Sequence, residues 1–178
     1  MKKIYHTWQD IEGQTQEILR QIQASNWRPD YVVGLTRGGL VPANLISQYL
    51  ECRMETLKVS LRDGAEQETN CWMAEDAFGY NGHDPMCSDD GRKKILIVDD
   101  INDTGATLNW IKQDWMSSCF ATSPVWEGIW GHNVRVACLY DNESSQSELD
   151  VQYSAVTINK AAEDAWIVFP WESWWRSK

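Results

Sequence analysis

The stretch "ILIVDDINDTGATL", residues 95–108, decides the fold: four apolar residues run into Asp99 and Asp100, and Asp103 stands just before a Thr-Gly turn. A short continuous apolar run bounded by turn residues reads as a strand buried on both faces. Leu108, Ile111 and Trp115 then recur on one helical face. The stretch is therefore a strand-turn-helix junction carrying three carboxylates, although the positive end of a helix usually attracts anions.

Working outward, the same unit recurs upstream. "YVVGL" is a β-branched run ending in "TRGG", after which Leu40, Val41, Leu45, Ile46, Tyr49 and Leu50 restore the helical period, with Pro42 tolerated in the first turn. Residues 8–24 read as an amphipathic helix on Trp8, Ile11, Ile18, Leu19 and Ile22, opened by a capping box of Thr7 and Asp10. Further strands are expected in "METLKVSL" (54–61), "VRVACLY" (134–140) and "VQYSAVTI" (151–158). Strands alternating with helices predict an α/β fold with a central parallel sheet flanked by helices and right-handed crossovers. Residues 62–94 are polar, without clear period, and predict a long mobile loop with a short hairpin near "NCWMAEDAFGY". Residues 117–133 are too rich in Gly, Pro and Ser for a continuous helix, and 141–150 read as a polar linker.

The 178 residues, 43% hydrophobic, predict one domain spanning 1–178. No apolar run has the length of a membrane span, and the two early lysines have no apolar stretch behind them, so a cytoplasmic protein is expected. Five scattered cysteines without a C-x-x-C pair predict reduced thiols, and His6, His83 and His132 lack ligand-like spacing. A net charge of −10 opposes nucleic-acid binding and favours a small partner. Among eleven tryptophans, Trp171, Trp174 and Trp175 are assigned to packing or a subunit contact.

In an open α/β sheet, ligands bind beyond the carboxyl ends of the strands. At the first junction, Gly38 and Gly39 let backbone N–H groups approach an anion, and Arg37 adds a fork of donors. At the second, Thr104, Gly105, Ala106 and Thr107 wrap a phosphate at the helix start. The carboxylates must turn from that phosphate toward sugar hydroxyls or magnesium, with Asp99 and Asp100 projecting to opposite faces of the strand. Neither G-x-x-x-x-G-K-[ST] nor G-x-G-x-x-G is present. A ligand with an anion at each end, hydroxyls between and a divalent metal is described, and phosphoribosyl diphosphate has that shape.

These residues resemble the type I phosphoribosyltransferase family. "ILIVDDINDTGATL" fills the family's phosphoribosyl-diphosphate motif, "GLTRGG" looks like its diphosphate loop, and "AWIVFPWE" is similar to the base-binding hood of xanthine, guanine and hypoxanthine phosphoribosyltransferases. The resemblance covers residues 30–172 and implies the family fold, with a mobile loop near 62–94, a small hood at 151–178, and homo-oligomers. It implies transfer of the 5-phosphoribosyl group to a purine, with release of diphosphate. Asp99 and Asp100 would serve the ribose hydroxyls and Mg2+, Asp103 would act as acid or base near purine N7, and Thr104 to Thr107 would hold the 5′-phosphate. Thr36, Arg37, Gly38 and Gly39 would handle diphosphate, where the family often has a non-proline cis peptide. Trp166 and Ile167 would meet the base. Two departures stand out: the strand before the hood offers Tyr140 and Asp141 where a lysine contacts the exocyclic oxygen, with Lys160 in the following loop as its substitute, and Ser60 is followed by Leu61 rather than Tyr. The alternatives are a regulatory module that binds phosphoribosyl diphosphate without catalysis, and a transferase for a pyrimidine or another base.

Overall fold

The computed structural model of the protein describes residues 1–59, 69–80 and 91–176. Strand β1 (Lys2–Tyr5) is followed by α1 (Trp8–Ala24), β2 (Tyr31–Thr36), α2 (Leu40–Leu50) and β3 (Arg53–Lys58). Next come α3 (Cys71–Phe78), β4 (Ile95–Asn102), α4 (Ala106–Ser118), β5 (Val134–Asn142), β6 (Tyr153–Ile158) and β7 (Ala165–Val168). The main sheet has five strands in the order β3-β2-β4-β5-β6, and every pair is parallel.

Both faces of that sheet are covered, which explains the unbroken apolar runs. Alternate residues of β2 and β4 serve opposite cores. Tyr31, Val33, Leu35, Ile95 and Ile97 pack with α3 and with Leu108, Ile111 and Trp115 of α4. Val32, Leu96 and Val98 pack with Ile11, Ile18 and Ile22 of α1 and with Ala43 and Ile46 of α2. Each such fully buried aliphatic side chain contributes about 1.5–3 kcal/mol relative to exposure. The α1 start is held by reciprocal bonds, Asp10 N–H donating to Thr7 Oγ1 at 3.1 Å and Thr7 N–H to Asp10 Oδ2 at 2.8 Å.

The structure changes several expectations. Residues 71–78 are helix, not hairpin: the Asn70 side chain accepts from Met73 N–H, Gly79 closes the end at φ +80°, and Met73, Ala74, Ala77 and Phe78 make a buried helical stripe. Only 69–80 and 91–94 of the expected loop lie within the described residues, as does the 54–61 strand only as far as Val59. The expected hood at 151–178 is not one unit, because β6 is an edge strand of the main sheet while β7 pairs in parallel with β1, from the other end of the chain. After α4 the chain forms a 3-10 turn at Pro124–Gly128, where the Trp126 ring stacks on Trp130 at 5.4 Å and its indole N–H donates to the Cys119 carbonyl. Those tryptophans are core. Among the described residues, Cys52, Cys71 and Cys138 are free thiols. No helix among the described residues is long and apolar enough to cross a membrane.

Candidate active site

From β2 the chain crosses to β3 on one side and then returns to β4 on the other, so the strand order reverses between β2 and β4. A crevice opens at such a point beyond the strand ends. Here the β2–β4 pairing ends at Gly34↔Val98, whereas β4 stays paired with β5 to Asn102↔Asp141. Asp99 and Asp100 therefore stand on ordered strand backbone at the mouth of the gap, beside the loop that leaves β2.

Two helices begin at this mouth, and neither starts with a side-chain cap or an acidic first turn: α2 behind Gly39 and α4 behind Gly105. Their leading N–H groups and dipoles make both ends suited to anions. The two loops touch. A Cβ at Gly38 would overlap the Asp100 carboxylate, and one at Gly39 would overlap the Val98 carbonyl. That close approach, not turn geometry alone, requires the Gly-Gly pair. The Thr36-Arg37 peptide bond is cis.

The acidic pair is anchored to its own backbone: Asp100 N–H donates to Asp99 Oδ1 at 2.9 Å and Ile101 N–H to Asp100 Oδ1 at 2.8 Å. Burial pushes the Asp100 carboxyl up to about 6, against the lowering effect of its hydrogen bonds with Asp99 and Ile101 N–H, and the charge of Glu172 raises it further. Glu172 lies in the 3-10 turn Pro170–Glu172 after β7, so this turn stands close enough to Asp100 for its charge to act there. No group of three or more His, Cys, Asp or Glu among the described residues is placed to hold a metal by itself. Two hard carboxylate oxygens, one of them desolvated and short of positive charge, suit magnesium that takes its remaining oxygens from substrate and water.

Beyond them, Gly105 adopts φ +86° and its Cα faces the Ser147 backbone so closely that no side chain fits. The supposed linker at 141–150 is in fact the wall of this turn: Gln146 N–H donates to the Thr104 carbonyl at 2.9 Å, and Glu148 N–H to Asn109 Oδ1 at 2.7 Å. Thr104 and Ala106 remain exposed and Thr107 half-buried, so the cradle opens outward. The Thr104 hydroxyl accepts from Ala106 N–H at 3.3 Å.

Asp103 meets a residue that sequence reasoning could name but not place. Lys160, from the loop between β6 and β7, puts its ammonium 2.9 Å from Asp103 Oδ1. Asn142, 4% exposed, ties both ends of this pair, donating to the Asp103 carbonyl at 2.8 Å and accepting from Lys160 N–H at 3.0 Å. Asn142 was missed at the sequence level, its only signal being a polar residue at the carboxyl end of a strand. The neighbouring Asp141 is occupied by the Asn102 side-chain amide at 2.9 Å.

The three residues expected to meet a base differ in placement. Trp166 is 38% exposed on β7, paired with Lys3, while Ile167 is buried at 5% in the α1/α2 core. Tyr140 is 4% exposed, and its hydroxyl lies 2.6 Å from His6 Nε2, with its ring edge-on to Phe169. Its phenol is thus turned toward α1 and the β1–β7 hood rather than presented at the surface, and burial raises its pKa. His6 in turn lies 3.6 Å from Asp10 through Nδ1.

The sheet order, the crevice and the paired phosphate-type loops are those of a phosphoribosyltransferase. A family model described as phosphoribosyl transferase domain matches residues 1–176, and the chain belongs to that family. Among characterised relatives, it is 28% identical over 177 residues to the xanthine-guanine phosphoribosyltransferase of Cereibacter sphaeroides, covering 96% of this chain and 87% of the relative. It is 23% identical over 195 residues to xanthine phosphoribosyltransferase 1 of Saccharomyces cerevisiae, covering 97% and 90%. Among solved structures, a purine phosphoribosyltransferase from Pyrococcus horikoshii superposes with a TM-score of 0.63 at 23% identity, covering 97% of this chain and 96% of the other. The xanthine-guanine-hypoxanthine phosphoribosyltransferase of Helicobacter pylori superposes with a TM-score of 0.64 at 18% identity, covering 98% and 96%.

Proposed function

We propose that this protein transfers the 5-phosphoribosyl group of phosphoribosyl diphosphate to a 6-oxopurine of the xanthine, guanine and hypoxanthine type, releasing diphosphate. The observation that carries the choice of base is the Asp103–Lys160 pair, a carboxylate and an ammonium 2.9 Å apart. On a 6-oxopurine, N7 and the oxygen on C6 share one edge, and on adenine the second group is an amino donor. In the N7–H form of the free base that edge offers a donor at N7 to the Asp103 carboxylate and an acceptor at C6 to the Lys160 ammonium, whereas adenine would set its amino group against the ammonium. Lys160 thereby supplies from the hood loop the cation that β5 lacks.

In this reading the 5′-phosphate lies on the N–H groups and hydroxyls of Thr104 to Thr107, at the positive end of α4. The diphosphate lies on Thr36, Arg37, Gly38 and Gly39, whose guanidinium and N–H donors stabilise the charge that grows on the leaving group. Asp99 and Asp100 hold the ribose hydroxyls and Mg2+, which when bound neutralises diphosphate charge. Asp103 accepts the proton from the purine nitrogen as the glycosidic bond forms, held in reach by Asn142 and Lys160. Trp166 covers the base from β7.

The test is diphosphate release from phosphoribosyl diphosphate and magnesium with each base in turn. Guanine, xanthine or hypoxanthine is expected to be consumed, and adenine and pyrimidines spared. Lys160→Met is expected to raise the KM for the 6-oxopurine about tenfold or more, since one charge-assisted hydrogen bond is worth ~1.5–3 kcal/mol. Tight binding of phosphoribosyl diphosphate with no base consumed would establish the regulatory alternative instead.

A further inference from the structure

The stretch "NESSQSE", residues 142–148, runs from the last residue of β5 to the wall of the Thr104 turn and carries no apolar side chain. Its path is therefore set by hydrogen bonds, the first core anchor after it being Leu149, 5% exposed. We propose that this loop is a bracket that hangs the Lys160 loop from helix α4, with Asn109 and Ser144 as the positioning residues at its two ends. Which ligands meet at those ends rests on the transferase reading.

At the phosphate end, Asn109 in the first turns of α4 grips the loop at two points. Its Nδ2 donates to the Gln146 carbonyl at 2.8 Å, and its Oδ1 accepts from Glu148 N–H at 2.7 Å. Two directional bonds from one planar amide fix both the position and the tilt of the loop on the helix. Gln146 N–H then reaches the Thr104 carbonyl at 2.9 Å, and the Ser147 backbone fills the space that a Cβ on Gly105 would need. Midway, Ser145 Oγ accepts at 3.0 Å from the side-chain amide of Asn102, the last residue of β4 and 6% exposed. At the base end, Ser144 Oγ donates to Asn142 Oδ1 at 2.8 Å and accepts from Ala161 N–H at 3.3 Å. Asn142 Oδ1 also takes Lys160 N–H at 3.0 Å, and Glu143 N–H donates to the Ile158 carbonyl at 2.8 Å. The backbone of Lys160 is thus held by the loop whose other end is clamped to α4, while its ammonium meets Asp103 at 2.9 Å. Asn109 and Ser144 bond to loop atoms and not to that ion pair, so they act on it only by placing its backbone. Placement matters, because a shift of about 1 Å in a group that meets substrate costs up to ~100-fold in rate.

Two measurements on the whole protein test this: amide hydrogen exchange at Lys160 N–H without ligands, read by NMR, and steady-state kinetics with magnesium, phosphoribosyl diphosphate and guanine, xanthine and hypoxanthine in turn. Asn109→Ala is altered at the phosphate end alone. It is expected to speed exchange at Lys160 N–H about tenfold, the scale of two lost hydrogen bonds, and to raise the KM for the base as well as for phosphoribosyl diphosphate. A purely local role for Asn109 would leave Lys160 unmoved. Ser144→Ala is expected to raise the KM for the base about fivefold with the KM for phosphoribosyl diphosphate kept, and Ser144→Thr, which retains the hydroxyl, to restore it. Exchange needs no substrate, so faster exchange in Asn109→Ala with no base consumed by the unaltered protein strikes the transferase reading and leaves the bracket standing. Unchanged exchange at Lys160 N–H in Asn109→Ala, or an unchanged KM for the base in both alanine variants, overturns the proposal.

Discussion

Asp100→Asn is expected to stabilise the ligand-free protein while removing its grip on substrate. Burial holds the Asp100 carboxyl at about 6, against an ordinary value of 3.8, so the folded state keeps its proton where the unfolded chain has lost it. The folded chain then binds more protons, and stability falls as pH rises from about 4 to about 6, staying low above that. At roughly 1.4 kcal/mol per pH unit, the interval from 3.8 to about 6 amounts to about 3 kcal/mol. The amide keeps an oxygen for Ile101 N–H and carries no charge to desolvate. Urea unfolding followed by tryptophan fluorescence, on both proteins between pH 4 and pH 7.5, therefore yields a stability difference that grows by up to ~3 kcal/mol in favour of the variant. Groups that do not interact with Asp100 cancel in that difference. Magnesium with phosphoribosyl diphosphate should stabilise the unaltered protein, by about 2.7 kcal/mol at a hundredfold excess over Kd, and the variant far less. A difference that stays flat across this pH range, or equal ligand stabilisation of both, refutes the reasoning.

Asp103→Asn should lower turnover much more than affinity for phosphoribosyl diphosphate, and equal turnover would remove Asp103 from proton transfer. Gly105→Ala forces a side chain onto the Ser147 backbone at φ +86°, so steady-state kinetics should show a raised KM for phosphoribosyl diphosphate together with a lower melting temperature. Tyr140→Phe should cost about 1 kcal/mol of stability by leaving His6 Nε2 unpaired, with the KM for base unchanged; a KM change without a stability change would return the phenol to the base pocket. Trp115→Ala, at a fully buried position of α4, should cost about 3–5 kcal/mol in denaturant unfolding.

Residues 31–50 and 95–118 could be read in advance because each is a local unit, an apolar run, a Gly or Thr-Gly turn and an amphipathic helix, whose parts meet within one or two turns of chain. The α1 helix was legible for the same reason, its capping box lying within three residues. Polar stretches misled. Residues 70–80 lacked an alternating apolar period, yet Asn70 and Gly79 bracket a helix, and 141–150 looked like a linker until its backbone was found bonded to the Thr104 carbonyl. Mixed polarity is what a segment shows when one side packs, the 71–78 helix on the core and 141–150 on the Thr104 turn, and the other faces solvent.

The amino-acid sequence alone determined the parallel α/β architecture and the acids and glycines of the crevice, since strand, turn and helix signals act over short spans. Tertiary structure alone decided that β1 completes the hood with β7, that Tyr140 turns to His6, and that Lys160 closes on Asp103. Those partners are separated by long stretches of chain, 134 residues for Tyr140 and His6. No local period encodes such meetings, because they follow from how the whole sheet and its covering helices bring distant backbone into register.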